Sequence, residues 1–259
     1  MKKLCLSLLV LPFVASAALA HSPYLKPNTF NPDAKRPHVT VEASFAEGDL
    51  RPDVAMKSDH FAVVGPDGTV TPLTPAASLK DATFLEVPLG AAGTYRVTSG
   101  LRTGRVAKAA VKDGQLHFQE DPQAAPEPGA VIVDVQSLTR ADVYVSKGKP
   151  GMLPPAGTGV ELQPLTAPND AYAGEAVRFA VLADGKPLSG EHVTIVTDGQ
   201  NYAAKKLVDL DLVSDAKGEV SFTPATAGLY LIQVRVRRPA SETTWTSSTA
   251  TVTLEVLPQ

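Results

Sequence analysis

Apolar and polar residues alternate with a period of two along most of the chain. Over 38–45, Val39, Val41, Ala43 and Phe45 share one face, and His38, Thr40, Glu42 and Ser44 share the other. That is the pattern of a half-buried antiparallel strand. Over 230–237 the same rhythm turns Tyr230, Ile232, Val234 and Val236 one way and Gln233, Arg235 and Arg237 outward. Shorter runs predict further strands at 61–64, 69–71, 83–87, 93–99, 104–111, 116–119, 130–135 and 141–146, then at 160–165, 176–182, 192–197, 218–222 and 246–256. Turn residues separate them: Gly65-Pro66-Asp67-Gly68, Asp113-Gly114 and Asp184-Gly185-Lys186-Pro187. Asp-Gly at 113–114 predicts a hairpin, because it supplies the positive φ of a tight turn.

No segment carries a helical period. Strands spaced about 8–12 residues apart with turn residues between them indicate antiparallel sandwiches rather than a parallel sheet. The expected fold is all-β, with two immunoglobulin-like β-sandwich domains in tandem. The run from Lys147 to Gly157, rich in Gly and Pro, suits neither a helix nor a central strand. It sets the expected domains at 21–147 and 160–259, with a linker at 148–159. The two halves echo each other: Pro88 to Tyr95 and Pro224 to Tyr230 each run from a proline through small residues to Gly-x-Tyr. In immunoglobulin-like sandwiches such a tyrosine bonds a nearby backbone group and pins a corner.

The first residues read as a secretory leader. Met1-Lys2-Lys3 is followed by an apolar run to Ala20 that ends in small residues. Residues 1–20 are therefore expected to be a cleaved signal peptide, with a periplasmic mature chain that contains no membrane span. Cutting after Ala20 would make His21 the first residue; cutting after Ala17 would leave Ala18-Leu19-Ala20 ahead of it. Cys5, the only cysteine, lies in the leader, so thiolate ligands, cysteine nucleophiles and disulfides are excluded. Removing 20 of 259 residues leaves 239, ample for a hydrophobic core. Without Lys2 and Lys3, 24 basic residues become 22 against 27 acidic ones, a net charge of −5. No basic block remains, so nucleic-acid binding has no electrostatic support.

Five stretches resemble a known group: His21-Ser22-Pro23-Tyr24-Leu25, Gln136-Ser137-Leu138-Thr139, Tyr144 to Pro150, Pro168-Asn169-Asp170 with Ala173-Gly174-Glu175, and Asp184 to Leu188. Together they are similar to uncharacterised periplasmic proteins related to the NikM-type soluble components of nickel and cobalt uptake. The resemblance implies a two-domain β-protein that handles a transition metal and meets a membrane metal-transport component. One feature departs from it. The NikM-like pattern sets its histidine inside the mature end, whereas here histidine would come first and Pro23 third.

A terminal histidine can chelate through its α-amine and its ring, a donor pair suited to copper, nickel or cobalt. Pro23 has no amide hydrogen, so a chain of deprotonated amide ligands stops at Ser22. His60, His38 and Glu47 are the candidate partners for His21. Catalysis has less support. Ser137 and Ser189 lack a Gly-x-Ser-x-Gly context, and Asp198 and Asp215 sit at turns, where aspartate bonds its own backbone. Histidine-first copper oxygenases need a second histidine and a flat aromatic face, which Trp245 and six tyrosines do not suggest. Trp245 itself is expected to pack in the core. The leading expectation is a non-enzymatic, periplasmic metal-binding accessory protein. The alternative is an interaction module that binds an envelope protein, a transporter or a glycan.

Overall fold

The computed structural model describes residues 21–118, 127–199 and 209–259. The leader at 1–20, and Gln119 at the end of one expected strand, lie outside the described residues. Every regular element among the described residues is a strand. The first half contains β1 (Ser22–Pro27), β2 (His38–Ala46), β3 (Val54–Ala55), β4 (Ala62–Val64), β5 (Val70–Pro72), β6 (Ala77–Ser78), β7 (Thr83–Pro88), β8 (Gly93–Thr98), β9 (Arg102–Lys112), β10 (Gln115–His117) and β11 (Val131–Lys147). The second contains β12 (Val160–Pro164), β13 (Val177–Ala183), β14 (Lys186–Pro187), β15 (His192–Thr197), β16 (Asp209–Val213), β17 (Glu219–Phe222), β18 (Gly228–Pro239) and β19 (Thr244–Val256).

These strands form three sheets packed as immunoglobulin-like β-sandwiches. The first outer sheet runs β1-β2-β7-β6 with β3 on β2, and the second runs β12-β13-β14 with β17 on β13. A long central sheet runs β16-β15-β18-β19-β11-β8-β4-β5, with β9 on β11 and β10 on β9. It passes from one half to the other without a break, because β11 and β19 pair in parallel from Asp134↔Thr244 to Val143↔Thr253.

The outer sheets cover opposite faces of the central one. Leu25, Val39, Val41, Leu85 and Val87 of the first pack with Val97, Val143 and Val145. Leu162, Phe179, Val181 and Phe222 of the second pack with Ile232, Val234, Val252 and Leu254. Directly opposed residues share a face, and successive residues alternate. Val143 opposes Thr253, so it faces away from Val252. The two cores therefore lie on opposite sides of one sheet, staggered along it.

Two differences from the sequence reading are informative. The expected strands at 130–135 and 141–146 are a single strand, β11, which runs straight through polar Gln136-Ser137-Leu138-Thr139-Arg140. This stretch is held by partners on both sides, β9 and β19, with a register shift between Gln136 and Leu138. Residues 22–27, which contain two prolines, form β1. It lies at the edge of the first sheet, where a missing N–H leaves no interior ladder bond unmade. Tyr24 and Leu25 of this strand are fully buried, and the Tyr24 hydroxyl donates to Glu42 Oε1 at 2.6 Å. Burial and that carboxylate push the Tyr24 phenol well above its ordinary range.

Local expectations hold at the turns. Asp113 and Gly114 have φ of 52° and 75°, and they close the β9–β10 hairpin. Both tyrosines of the internal echo pin corners: Tyr95 donates to the Ala91 carbonyl at 2.6 Å and Tyr230 to the Thr226 carbonyl at 2.7 Å. Trp245 is half-buried beside Ala109, Val133 and Val135.

The segment 148–159 joins β11 to β12 and is fastened by a buried charged group. Glu161 accepts the N–H groups of Ala156 and Gly157 at 2.7 and 2.8 Å. Its carboxylate lies 3.7 Å from Arg140 Nη1, and both side chains are almost wholly buried. Arg96 Nη1 donates to the Pro154 carbonyl at 3.1 Å. Asp142 lies beside Arg140 and Arg96, yet burial outweighs their attraction and raises its pKa.

Candidate functional site

Where β18, β19, β11 and β9 extend beyond the first outer sheet, the face they share with it is open. The register builds a groove there row by row. Arg237 opposes Ser247, and Ser247 opposes Ser137. In the next row Arg235 opposes Thr249, Thr249 opposes Thr139, and Thr139 opposes Arg102. Four hydroxyl side chains thus form a floor on the two middle strands. Arg235 and Arg237 stand on one bank, and Arg102 and Arg105 on the other. Three strand spacings separate the banks, roughly 14 Å between backbones.

The cavity measures about 610 Å³. Phe45, Val54 and His21 close one end, and Phe118, Val135 and Ala107 line the other. Gly104 keeps the β9 side low, since a Cβ there would lie 3.2 Å from Ser137 Cβ. None of its described lining residues is acidic.

Local contacts orient the arginines. The Arg102 guanidinium stacks 5.3 Å from the centre of the Phe45 ring, and its Nε donates to the Lys57 carbonyl at 2.7 Å. The Arg237 guanidinium stacks 5.3 Å from the Phe118 ring. Arg235 Nε donates to Thr249 Oγ1 at 3.2 Å. Arg237 Nε is buried and makes no hydrogen bond to any described residue. Burial pulls both Arg235 and Arg237 below the usual guanidinium range, and Arg237 lowers Arg235 further by repulsion. Guanidinium groups remain charged through shifts of this kind.

Sequence reasoning placed Arg235 and Arg237 outward and weighed Ser137 only as a nucleophile. The signal it passed over was Ser-x-Thr at 137–139 and again at 247–249, with Arg-x-Arg at 235–237 on a neighbouring strand. Only the parallel β11–β19 register brings the two hydroxyl pairs side by side.

The expected metal ligands are distributed differently. His21 precedes the edge strand β1 rather than ending a free arm, with its Nε2 3.9 Å from Asp53 Oδ2 at the groove mouth. The Glu47 N–H donates to the same Asp53 oxygen at 2.8 Å, so Glu47 is a near neighbour. His38 is not. Ser22 opposes Ala46 at one end of β2 and His38 starts the other, roughly 27 Å away at about 3.4 Å per residue. His38 pairs instead with Glu86 at 3.3 Å. His60 is exposed at the turn facing Gly100, its N–H on Ser58 Oγ at 3.1 Å. Among the described residues, no three His, Cys, Asp or Glu side chains gather as a metal cluster. No helix there is long and apolar enough to cross a membrane.

Fold and groove define the class: an all-β, immunoglobulin-like chain with an open, arginine-rich face. Within that class the chain belongs to the family described as Domain of unknown function (DUF4198), which matches residues 18–238. No curated protein matches it. Among solved structures it is similar to the D0-D1 domain of intimin, at 14% identity over 90% of this chain and 97% of that one, with a TM-score of 0.25. A 1.5-MDa bacterial ice-binding adhesin is 11% identical over 93% of this chain and 65% of the other, with a TM-score of 0.25. Escherichia coli alpha-2-macroglobulin is 12% identical over 93% of this chain and 20% of its own, again with a TM-score of 0.25. Likenesses at this level carry no argument about function.

Proposed function

We propose that the protein is a non-enzymatic, exported binding module that takes its ligand in the arginine-banked groove. The supporting observation is the groove itself: about 610 Å³ of concave surface, in the range of small-molecule sites, with convergent polar groups on a rigid sheet. Long strands with partners on both sides form the floor, so the floor hydroxyls are pre-positioned. The test is amide NMR on the mature chain with a panel of soluble envelope saccharides, peptides and organic acids. At least one probe should shift the amides of Thr139, Ser247 and Thr249, and Thr249→Trp should abolish the shift by filling the floor. No floor shift from any probe, or shifts confined to another face, would sink the reading.

A second reading, transition-metal handling with a membrane transport partner, draws on the approach of Asp53 to His21. If the leader is cut after Ala20, the α-amine, ring and Asp53 carboxylate would supply three donors for copper, nickel or cobalt, with Glu47 near by. Intact mass fixes the first residue of the exported chain. Calorimetry with copper and nickel should then show affinity that falls in His21→Ala and Asp53→Asn. Equal affinity in both variants rules this reading out.

A further inference from the structure

We infer that the groove's ligand is a compact organic polyanion carrying at least two carboxylate or phosphate groups. This inference rests on reading the groove as a binding site, and it names the chemistry that the site selects.

Two arginines stand on each bank, and the floor between them is Ser137, Thr139, Ser247 and Thr249. The chain as a whole is acidic, with a formal charge of −3. Yet no acidic side chain is among the described residues lining this cavity, so its described ionised lining is basic. Arg102 and Arg105 on one bank and Arg237 on the other bring like charges to one space, which is unfavourable until something negative enters. A ligand with anionic groups at both ends answers both banks at once. A monoanion answers one bank only.

The donors are also prepared for oxyanions. Stacking on Phe45 and Phe118 holds the planes of Arg102 and Arg237, leaving N–H edges to present in the fork geometry that carboxylate and phosphate accept. Arg237 Nε is a buried donor without a hydrogen bond to any described residue, and such donors usually meet an acceptor. Hydroxyls of the floor can donate to a ligand oxygen or accept from a ligand hydroxyl. Val135, Ala107 and Val54 offer short apolar walls for a carbon skeleton. The same field disfavours a free metal cation here.

The experiment is low-salt calorimetry on the mature full chain with citrate, with 2,3-bisphosphoglycerate, and with mannitol as the neutral control. Carboxylate and phosphate sources are thereby separated. Saturable one-site binding of at least one anion is expected, weakening as sodium chloride is added, with none for mannitol. Arg105→Gln and Arg237→Gln should each weaken it by about tenfold, the scale of one charge-assisted contact. Exposed Lys35→Gln, away from the groove, should leave it unchanged. Urea midpoints matching the parent would certify that the arginine variants are folded.

Two results would overturn the inference: no saturable heat from either anion, or affinity in both arginine variants equal to that of the parent. If a neutral saccharide moves the floor amides while both anions fail, the groove remains a binding site and the polyanion is wrong. If no probe moves them, both readings fall.

Discussion

Glu161→Gln tests what fastens segment 148–159 to the sheet. The Glu161 side chain is 2% exposed, and its two oxygens each accept a backbone N–H, from Ala156 and Gly157. Glutamine has one carbonyl oxygen, so its NH₂ would face an N–H and leave that donor unsatisfied. Losing one charge-assisted bond costs about 1.5–3 kcal/mol. The substitution also removes the charge opposite Arg140, which is itself almost wholly buried. Breaking a buried pair from one side costs about 3–5 kcal/mol. These figures describe the same carboxylate and overlap, so they do not add. Asp142 also faces Arg140 and retains part of its compensation, which places the expectation near 3 kcal/mol. With a urea m-value of roughly 2–3 kcal/mol/M, the midpoint should fall by about 1–1.5 M. Trp245, the single tryptophan, reports the transition by fluorescence. In a cycle with Arg140→Met and Glu161→Leu, the double variant should be much less destabilised than the sum of the singles. A midpoint shift below about 0.3 M, or singles that simply add, would refute the reasoning.

Tyr230→Phe should destabilise by about 1–1.5 kcal/mol, because the Thr226 carbonyl loses its donor; an unchanged urea midpoint would remove that corner's role. Gly100 has φ of 63°, and a Cβ there would lie 2.5 Å from His60 Cβ and 2.7 Å from the His60 carbonyl oxygen. Gly100→Ala should therefore cost at least about 2 kcal/mol in denaturation, from the left-handed backbone and the clash together. Burial raises the Asp142 pKa in the folded chain. Between the unfolded value, about 3.9, and that raised value, the native state holds more protons than the unfolded state, so this residue's contribution to stability falls as pH rises. Stability of Asp142→Asn relative to the parent should therefore increase from pH 4 upward through that window. A pH-independent difference in urea midpoints would show that burial does not set this titration.

What was legible in the sequence depended on whether a signal was local. Alternation at 38–45 and 230–237 found its strands because each has one face on a core, and Asp113-Gly114 found its hairpin because the turn is written in two residues. The corner tyrosines were legible for the same reason, with each hydroxyl reaching a carbonyl four residues upstream. β1 was hidden because prolines argue against strands, a rule that relaxes at a sheet edge. The middle of β11 was hidden because its face toward the groove is covered by no outer sheet and carries Ser137 and Thr139 of the floor, while on the other face Arg140 is buried against Glu161. Of the metal candidates, Glu47 lies near His21, both reaching Asp53, whereas His38 stands at the far end of β2, because antiparallel pairing of β1 with β2 sets Ser22 against Ala46 rather than against His38.

The staggered sandwiches explain why an open face exists at all. Two outer sheets on the same face of a long central sheet would meet and bury it. Because the first covers one face and the second the other, each leaves part of its own side uncovered at the far end. A purely apolar stretch there would be exposed hydrophobic surface and an aggregation hazard. Serine, threonine and arginine keep it soluble, which is a sufficient structural reason for polar residues but not for these ones. Solubility would be served equally by lysine and glutamate of mixed sign. It requires neither four arginines around one cavity nor aromatic rings that hold two of them in place. That surplus of order and of one sign of charge is what the folded architecture alone leaves unexplained, and an anionic ligand accounts for both.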